Sequence, residues 1–307
     1  MNRKIIIGYQ DTNQGKDALA LGEILAVVLA ARPIAATVLP WSKQVLSKSD
    51  LEAALRLETS EAFALVRDRL GRLDPETRAI ANRSPSAALY QLATEERATL
   101  LVVGSTHHGA IGRVLTGSVG QGLLHGAPCA IAVAPRGYAD HDARSLRRIA
   151  VAFDGSAEAW TAFETAVGFA ERLHASLTIV TVADAERYGY AAAGSIVTAA
   201  EFHNFEHEET QRVLDLALGR SPADLAIDGR LLTGSAGPQL AEVSGEFDLM
   251  IAGSRGYGAL KRTALGSVVS RLIDSAGCPV LVLPRGVGMD PLGLTEPSRT
   301  EARLASV

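Results

Sequence analysis

The feature that most constrains this chain is that it repeats itself. Residues 104–137 align with residues 253–286 at a constant offset of 149, without a gap, and 15 of the 34 positions are identical. The identities include Gly104/Gly253, Ser105/Ser254, Arg113/Arg262, Gly117/Gly266, Ser118/Ser267, Cys129/Cys278 and Arg136/Arg285. The openings of the two halves correspond as well, Lys4–Tyr9 with Arg148–Phe153, at an offset of 144. The second half therefore carries a net insertion of five residues, expected between Tyr188 and Pro222, where no match is found. Such self-similarity is what duplication and fusion of one domain leaves behind, and 307 residues suit two domains of about 100–200 residues each. The expected division is a first domain at 1–137, a polar linker at 138–147, a second domain at 148–286 and an unstructured tail at 287–307, where Gly, Pro and charge lose all periodicity.

Within each half, short apolar runs alternate with helical spacing. In the second half Ile149–Phe153 reads as a buried strand, Asp154-Gly155-Ser156 as a turn carrying a helix N-cap, and Ala157–His174 as a helix with apolar residues at Trp160, Phe163, Ala166, Val167 and Ala170. Strands at Leu177–Val182, Gly229–Leu232, Leu249–Ala252 and Val280–Leu283 then alternate with helices at Ala199–Leu218, from Gln239, and at Ser267–Ser275. Strands that are apolar throughout are covered on both faces, so this order predicts an α/β fold. Right-handed crossovers make it two tandem doubly wound parallel five-stranded sheets, Rossmann-like, with ligands bound outside the carboxyl ends of the strands. The apolar last strands of the halves, Ile131–Ala134 and Val280–Leu283, would form sheet edges that invite pairing, either between the fused halves or in a homodimer.

Composition narrows the function classes. Hydrophobic residues make up 47% and charged residues 21%, enough for an ordinary globular core. A net charge of -4 without a clustered basic face speaks against a nucleic-acid partner. No apolar run approaches the roughly 18 residues of a membrane span, and Met1-Asn2-Arg3-Lys4 leads directly into Ile5-Ile6-Ile7 without the pattern of a signal peptide. Two cysteines far apart fit a reducing compartment. The chain is therefore expected to be cytoplasmic.

The strongest local signal is the stretch Gly253-Ser254-Arg255-Gly256-Tyr257-Gly258 through Arg262 to Gly266-Ser267-Val268. It follows a buried strand and opens a helix. Glycines admit tight turns, consecutive N–H groups make an anion nest, and the free N–H groups of the helix start add to it. The combination predicts a phosphate cradle, although no Gly-Lys-Ser/Thr closes it as in a Walker loop. A tight structural turn without a ligand is the competing reading.

The spacing G-x2-G-x9-G-S resembles the ATP-binding signature of the universal stress protein family, and the resemblance covers residues 4–136 and 148–285. It includes Val151-Ala152-Phe153-Asp154-Gly155-Ser156, Thr233-Gly234 and Asp248-Leu249. The resemblance implies an adenine nucleotide-binding protein, taking ATP, ADP or AMP with Mg2+ as companion of the phosphates, with the Rossmann-like fold of adenine nucleotide alpha-hydrolases. It matches Asp154, beside Ala152, Phe153 and Ser156, to the aspartate near adenine and ribose. Val182 matches the position whose backbone reads the adenine edge, and Gly234 the step before the third helix. Gly253, Gly256, Gly266 and Ser267 match the phosphate loop, with Ser254, Arg255, Gly258, Arg262 and Val268 around it. The implied role is regulatory, in stress survival, with a protein partner the sequence does not name. Rival readings are a slow ATPase or adenylating enzyme on the same fold, and a nucleotide-free module acting through dimer or partner contacts. No catalytic triad or paired-carboxylate arrangement is visible, so no catalytic residue is assigned.

The first half departs from the pattern. Gln10 stands where the second half has Asp154, and His107 replaces Gly256. Gly8, Gly104, Arg113, Gly117 and Ser118 remain, which predicts a weaker or absent nucleotide site. His107 and His108 read as surface or packing residues. His203 and His207, four apart on a helix among Glu206, Glu208 and Glu209, do not form HExxH and read first as a solvated charged face, with a zinc site or a pH-sensitive contact as the alternative. No metal is assigned. Cys129 and Cys278 occupy equivalent repeat positions and read as buried packing.

Overall fold

The computed structural model describes residues 3–39, 48–105, 128–140, 145–184, 199–254, 266–285 and 291–294. The first half runs β1 (Lys4–Gly8), α1 (Asn13–Val28), β2 (Arg32–Leu39), α2 (Lys48–Leu70), β3 (Glu76–Ala81), α3 (Pro85–Glu95), β4 (Leu100–Gly104) and β5 (Ala130–Ala134). The second runs β6 (Arg148–Ala152), α4 (Ala157–Leu173), β7 (Ser176–Ala183), α5 (Ala199–Gly219), β8 (Ile227–Thr233), α6 (Ala236–Val243), β9 (Leu249–Gly253), α7 (Ser267–Ser275) and β10 (Val280–Leu283). Every strand pairing within a half is parallel.

The two five-stranded sheets are joined. β5 and β10 pair antiparallel, Val280 with Val133, Leu281 with Ala132 and Val282 with Ile131, giving one ten-stranded sheet in the order β3-β2-β1-β4-β5-β10-β9-β6-β7-β8. The apolar edge that each half would expose alone is thus paired inside the chain, which removes an aggregation-prone template. Because successive strand residues point to opposite faces, Leu249 and Ile251 enter one core with α1, α4 and α5, while Met250 and Ala252 enter another with α3, α6 and α7. Both cores run through both halves.

Two expectations are corrected. The tail is not unstructured from residue 287 onward: Leu292 and Leu294 are buried in the α1/α4 core. Leu294 packs where Gly168 has no side chain, and the Arg3 guanidinium donates to the Gly293 carbonyl. Two leucines two residues apart carry enough apolar surface to dock a segment whose composition reads as loop. The length difference between the halves is also two changes rather than one insertion. Matching Leu39 to Ala183 and Ala81 to Thr233, the second half is eight residues longer between β7 and β8 and three residues shorter between β8 and β9.

Candidate functional site

Strand order reverses between β6 and β9, where β6 pairs β7 on one side and β9 on the other. A doubly wound sheet opens its ligand crevice at such a point. The turn after β6 is held by aromatic packing: buried Phe153 stands edge-to-face with Trp160 at 4.9 Å and with Phe163 at 6.2 Å, and Arg220 lies 4.6 Å over the Trp160 ring. Phe153 N–H donates to the Val180 carbonyl at 2.9 Å, which fixes the next residue, Asp154, at the strand end. Asp154 is exposed, and its Oδ1 accepts from Ser156 N–H at 3.0 Å and from Ser156 Oγ at 2.6 Å. Ser156 Oγ in turn accepts from Ala159 N–H and caps α4. Asp154 is therefore a turn residue at the carboxyl end of β6, where the strand order reverses.

The glycine-rich loop is closed at its base. Ser254 N–H donates to the Leu283 carbonyl at 2.8 Å, and Gly266 N–H donates to the Ser254 carbonyl at 3.1 Å. Gly253-Ser254 and Gly266-Ser267 are thereby brought together beside the end of β10. Gly266 is the N-cap of α7, and no side chain of the described residues caps α7 or α6, whereas Thr12, Ser84 and Ser156 cap α1, α3 and α4 through their hydroxyls. The first amides of α7 and the positive end of its dipole face the loop side. Val268 is half-buried against the core and Ser267 is exposed. Ala152 and Val182 also lie half-buried on the α6/α7 side of the sheet, at the ends of β6 and β7. Gly234, at φ +134, ties β8 to β7 through its N–H to the Ala183 carbonyl at 3.0 Å. Arg255, Gly256, Gly258 and Arg262, and in the first half Arg113, Gly117 and Ser118, lie outside the described residues, as do His107 and His108.

Gly253 has a packing reason independent of any ligand. A Cβ there would stand 2.8 Å from Glu158 Cβ and 2.9 Å from the Glu158 carbonyl, in the first turn of α4. The equivalent Gly104 is tighter still: its Cβ would meet the Gln14 carbonyl oxygen at 2.1 Å. Gly8, at the end of β1, is looser, with Leu89 at 3.2 Å.

Sequence reasoning missed three groups here. Arg285 Nε pairs with Glu158 Oε1 at 2.8 Å, placing a cation next to Gly253 and the loop base. Its conservation between the halves as Arg136/Arg285 was the available signal. Thr181 Oγ1, two residues before Ala183, is buried without a hydrogen-bond partner among the described residues, and nothing in the sequence marks it. The structural reason for Gly104 and Gly253 was likewise invisible without the helix packed across them.

The remaining readings can be placed. Burial pushes the Cys129 and Cys278 thiols up to about 12, so both are inert packing groups as expected. Asp248, at the amino end of β9, feels burial pulling its carboxyl upward, but hydrogen bonds from the Arg148 side chain and from the Arg147 and Arg148 amides prevail and hold it below its ordinary range. That cluster lies at the sheet end opposite the crevice and is structural. Among the described residues no three His, Cys, Asp or Glu gather as a metal site, and no helix is long and apolar enough to cross a membrane.

Comparison with known proteins gives the same picture. The model of the universal stress protein family matches residues 1–135 and again residues 145–284. A universal stress protein of Mycobacterium tuberculosis is 25% identical over 290 residues, spanning 91% of this chain and 99% of its own. One from Mycolicibacterium smegmatis is 29% identical over 271 residues, 86% of each chain. A solved universal stress protein from Archaeoglobus fulgidus superposes with a TM-score of 0.65 at 18% identity, over 92% of this chain and 98% of that one, a likeness of fold.

Proposed function

Because the chain belongs to the universal stress protein family, we propose that its second half binds an adenine nucleotide in the crevice between β6 and β9 and acts as a nucleotide-responsive module in the stress response. The observation that carries this reading is the N-terminus of α7, which no side chain of the described residues caps, pinned beside Ser254 by the Gly266–Ser254 hydrogen bond at the switch point of the sheet. Unpaired amides at a helix start suit phosphate oxygens. Ser254, Ser267 and Arg285 add donors at the same place. Asp154, at the end of the neighbouring strand, is an acceptor suited to sugar hydroxyls, and the Val182 backbone lies on the base side. Mg2+ would be held by phosphate oxygens and water, since it takes few protein ligands.

The first half serves as the structural partner in this reading. The Gln10 side chain donates to the Val38 carbonyl at 3.1 Å, and Val38 is the counterpart of Val182. The base side of the first crevice is thus already satisfied from within. Calorimetric titration of the chain with ATP, AMP and cyclic nucleotides tests the proposal. One nucleotide per chain is expected, with a thermal shift that Asp154→Ala removes while the fold persists. Absence of both heat and shift in the intact chain overturns it.

A further inference from the structure

The cavity outside the proposed nucleotide crevice that carries chemistry lies under α5. It has a volume of about 320 Å³ and is lined by His203, Asn204, Glu206 and His207 of α5 together with Ala183 and Thr233, the last residues of β7 and β8. By strand alternation Ala183 faces the side of Leu177 and Ile179, which α5 covers, whereas α6 and α7 pack on the opposite face. The cavity and the N-terminus of α7 are therefore on different sides of the sheet.

We propose that His203 and His207 bind a divalent transition-metal ion of the Zn2+, Ni2+ or Cu2+ class at this cavity. Residues four apart on a helix are neighbours on one face, which lets two imidazoles reach a single ion. Neutral imidazole is a preferred ligand of these metals and not of Mg2+ or Ca2+. The surrounding charge selects a cation over an anion. Glu201, Glu206, Glu208 and Glu209 share this stretch of α5, and the nearby Arg212 is paired with Glu208 and Glu209. Glu206 lines the cavity itself, so its carboxylate lowers the cost of bringing an ion to the imidazoles. Among the described residues the ion has these two protein ligands, since no third such group joins them in a metal-holding cluster there. Water fills its remaining positions, which makes the site exchangeable rather than structural. The expected solvated face is thus also a lined depression, and it lies in the stretch that is eight residues longer than in the first half.

Titration of the metal-free full chain with Zn2+ and with Ni2+ in a non-coordinating buffer tests this. One ion per chain is expected. His203→Ala or His207→Ala should each weaken binding by about tenfold or more, a difference of about 1.4 kcal/mol or more, and Glu206→Gln should weaken it less. His107→Ala/His108→Ala should keep the parent affinity. No saturable binding by the intact chain, or unchanged binding by the double variant His203→Ala/His207→Ala, overturns the proposal. Nucleotide affinity measured in parallel distinguishes this site from the crevice, because Asp154→Ala should leave ion binding intact.

Discussion

The carboxyl ends of β1 and β6 are tied by different hydrogen bonds among the described residues. In the first half Gln10 donates its amide to the Val38 carbonyl at 3.1 Å, and Thr37 Oγ1 donates to the Tyr9 carbonyl at 2.7 Å. In the second half the counterpart of Gln10 is Asp154, a carboxylate with no donor, so it cannot reproduce the first bond. Its carboxylate instead caps the turn at Ser156. The counterpart of Thr37 is Thr181, whose buried hydroxyl finds no partner among the described residues, as the Ser105 hydroxyl of the first half also finds none. Two halves with the same strands and nearly the same glycines thus differ in how the ends of equivalent strands are tied. The shared β5–β10 pairing couples them, so that stability of either half supports both.

The glycines at the ends of β4 and β9 should break the comparison most strongly. Gly104→Ala forces a Cβ to within 2.1 Å of the Gln14 carbonyl oxygen, so α1 must move. Gly253→Ala meets Glu158 at 2.8 to 2.9 Å, where less displacement suffices. Overpacking of this kind costs about 1–3 kcal/mol, with Gly104→Ala at the top of that range or above it. Denaturant melts of the two variants should rank them in that order; equal losses would show that the helix–strand approach is not what demands glycine.

Asp154→Gln should rebuild the first half's closure in the second. The new amide can donate to the Val182 carbonyl, and the charged acceptor proposed for the sugar is replaced by a neutral one. Nucleotide affinity should fall by about tenfold to a hundredfold, as expected for losing a hydrogen bond to a charged group worth about 1.5–3 kcal/mol. Calorimetry reads this directly. The converse variant, Gln10→Asp with His107→Gly, should raise the stoichiometry from one nucleotide per chain toward two. If neither change moves binding, the difference between the crevices lies elsewhere.

The legible part of this chain was what repetition and period carry. The 144 and 149 offsets, the apolar strands and the Asp154-Gly155-Ser156 cap carried both halves, their parallel sheets and the strand-to-helix step from Gly253-Ser254 to Gly266-Ser267, because those signals are local. The double change in length was not legible, since an eight-residue gain and a three-residue loss leave only their net difference in the offsets. The docking of Leu292 and Leu294 was also hidden, because it depends on the space above Gly168 in a distant helix. Of the candidate site, Asp154 and the glycines were readable as a motif. The Glu158–Arg285 pair, the Gln10 closure and the burial of the Thr181 hydroxyl required the fold, since the first two are contacts between elements far apart in sequence and the third depends on what packs around the strand.

The amino ends of the strands offer a smaller contrast, in acid. Asp248 holds the start of β6 through the Arg147 and Arg148 amides and the Arg148 guanidinium, and these bonds outweigh burial to keep its carboxyl low. The equivalent Thr99 has no charge; the first half uses Lys4–Glu96 at 2.6 Å instead, and the Lys4 hydrogen bond lowers the Glu96 carboxyl. A carboxyl with a depressed folded pKa contributes its stability above the unfolded value near 4, and loses it as pH falls through the folded value. Stability of the parent should therefore fall below about pH 4. Asp248→Asn should lower stability at neutral pH by about 1–2 kcal/mol and flatten the acid limb, whereas Thr99→Val should leave the limb's shape unchanged. A parallel shift of the whole pH profile in both variants would remove Asp248 from the account.

The smallest expected effects come from one substitution made twice. Thr37→Val deletes the 2.7 Å bond to the Tyr9 carbonyl, leaves that oxygen without its side-chain donor, and should destabilise by about 1 kcal/mol. Thr181→Val deletes a hydroxyl that is buried and unpartnered, and burying such a group costs about 1–3 kcal/mol by mutational measure. The same change there should leave Tm unchanged or raise it. Opposite signs at equivalent positions would show that the two crevices differ in polar satisfaction and not merely in sequence. Nucleotide titration of Thr181→Val adds the functional half of the test. An affinity that holds while Tm rises marks the hydroxyl as a defect of packing, and an affinity that falls while Tm rises marks it as a group kept unpaired for the ligand.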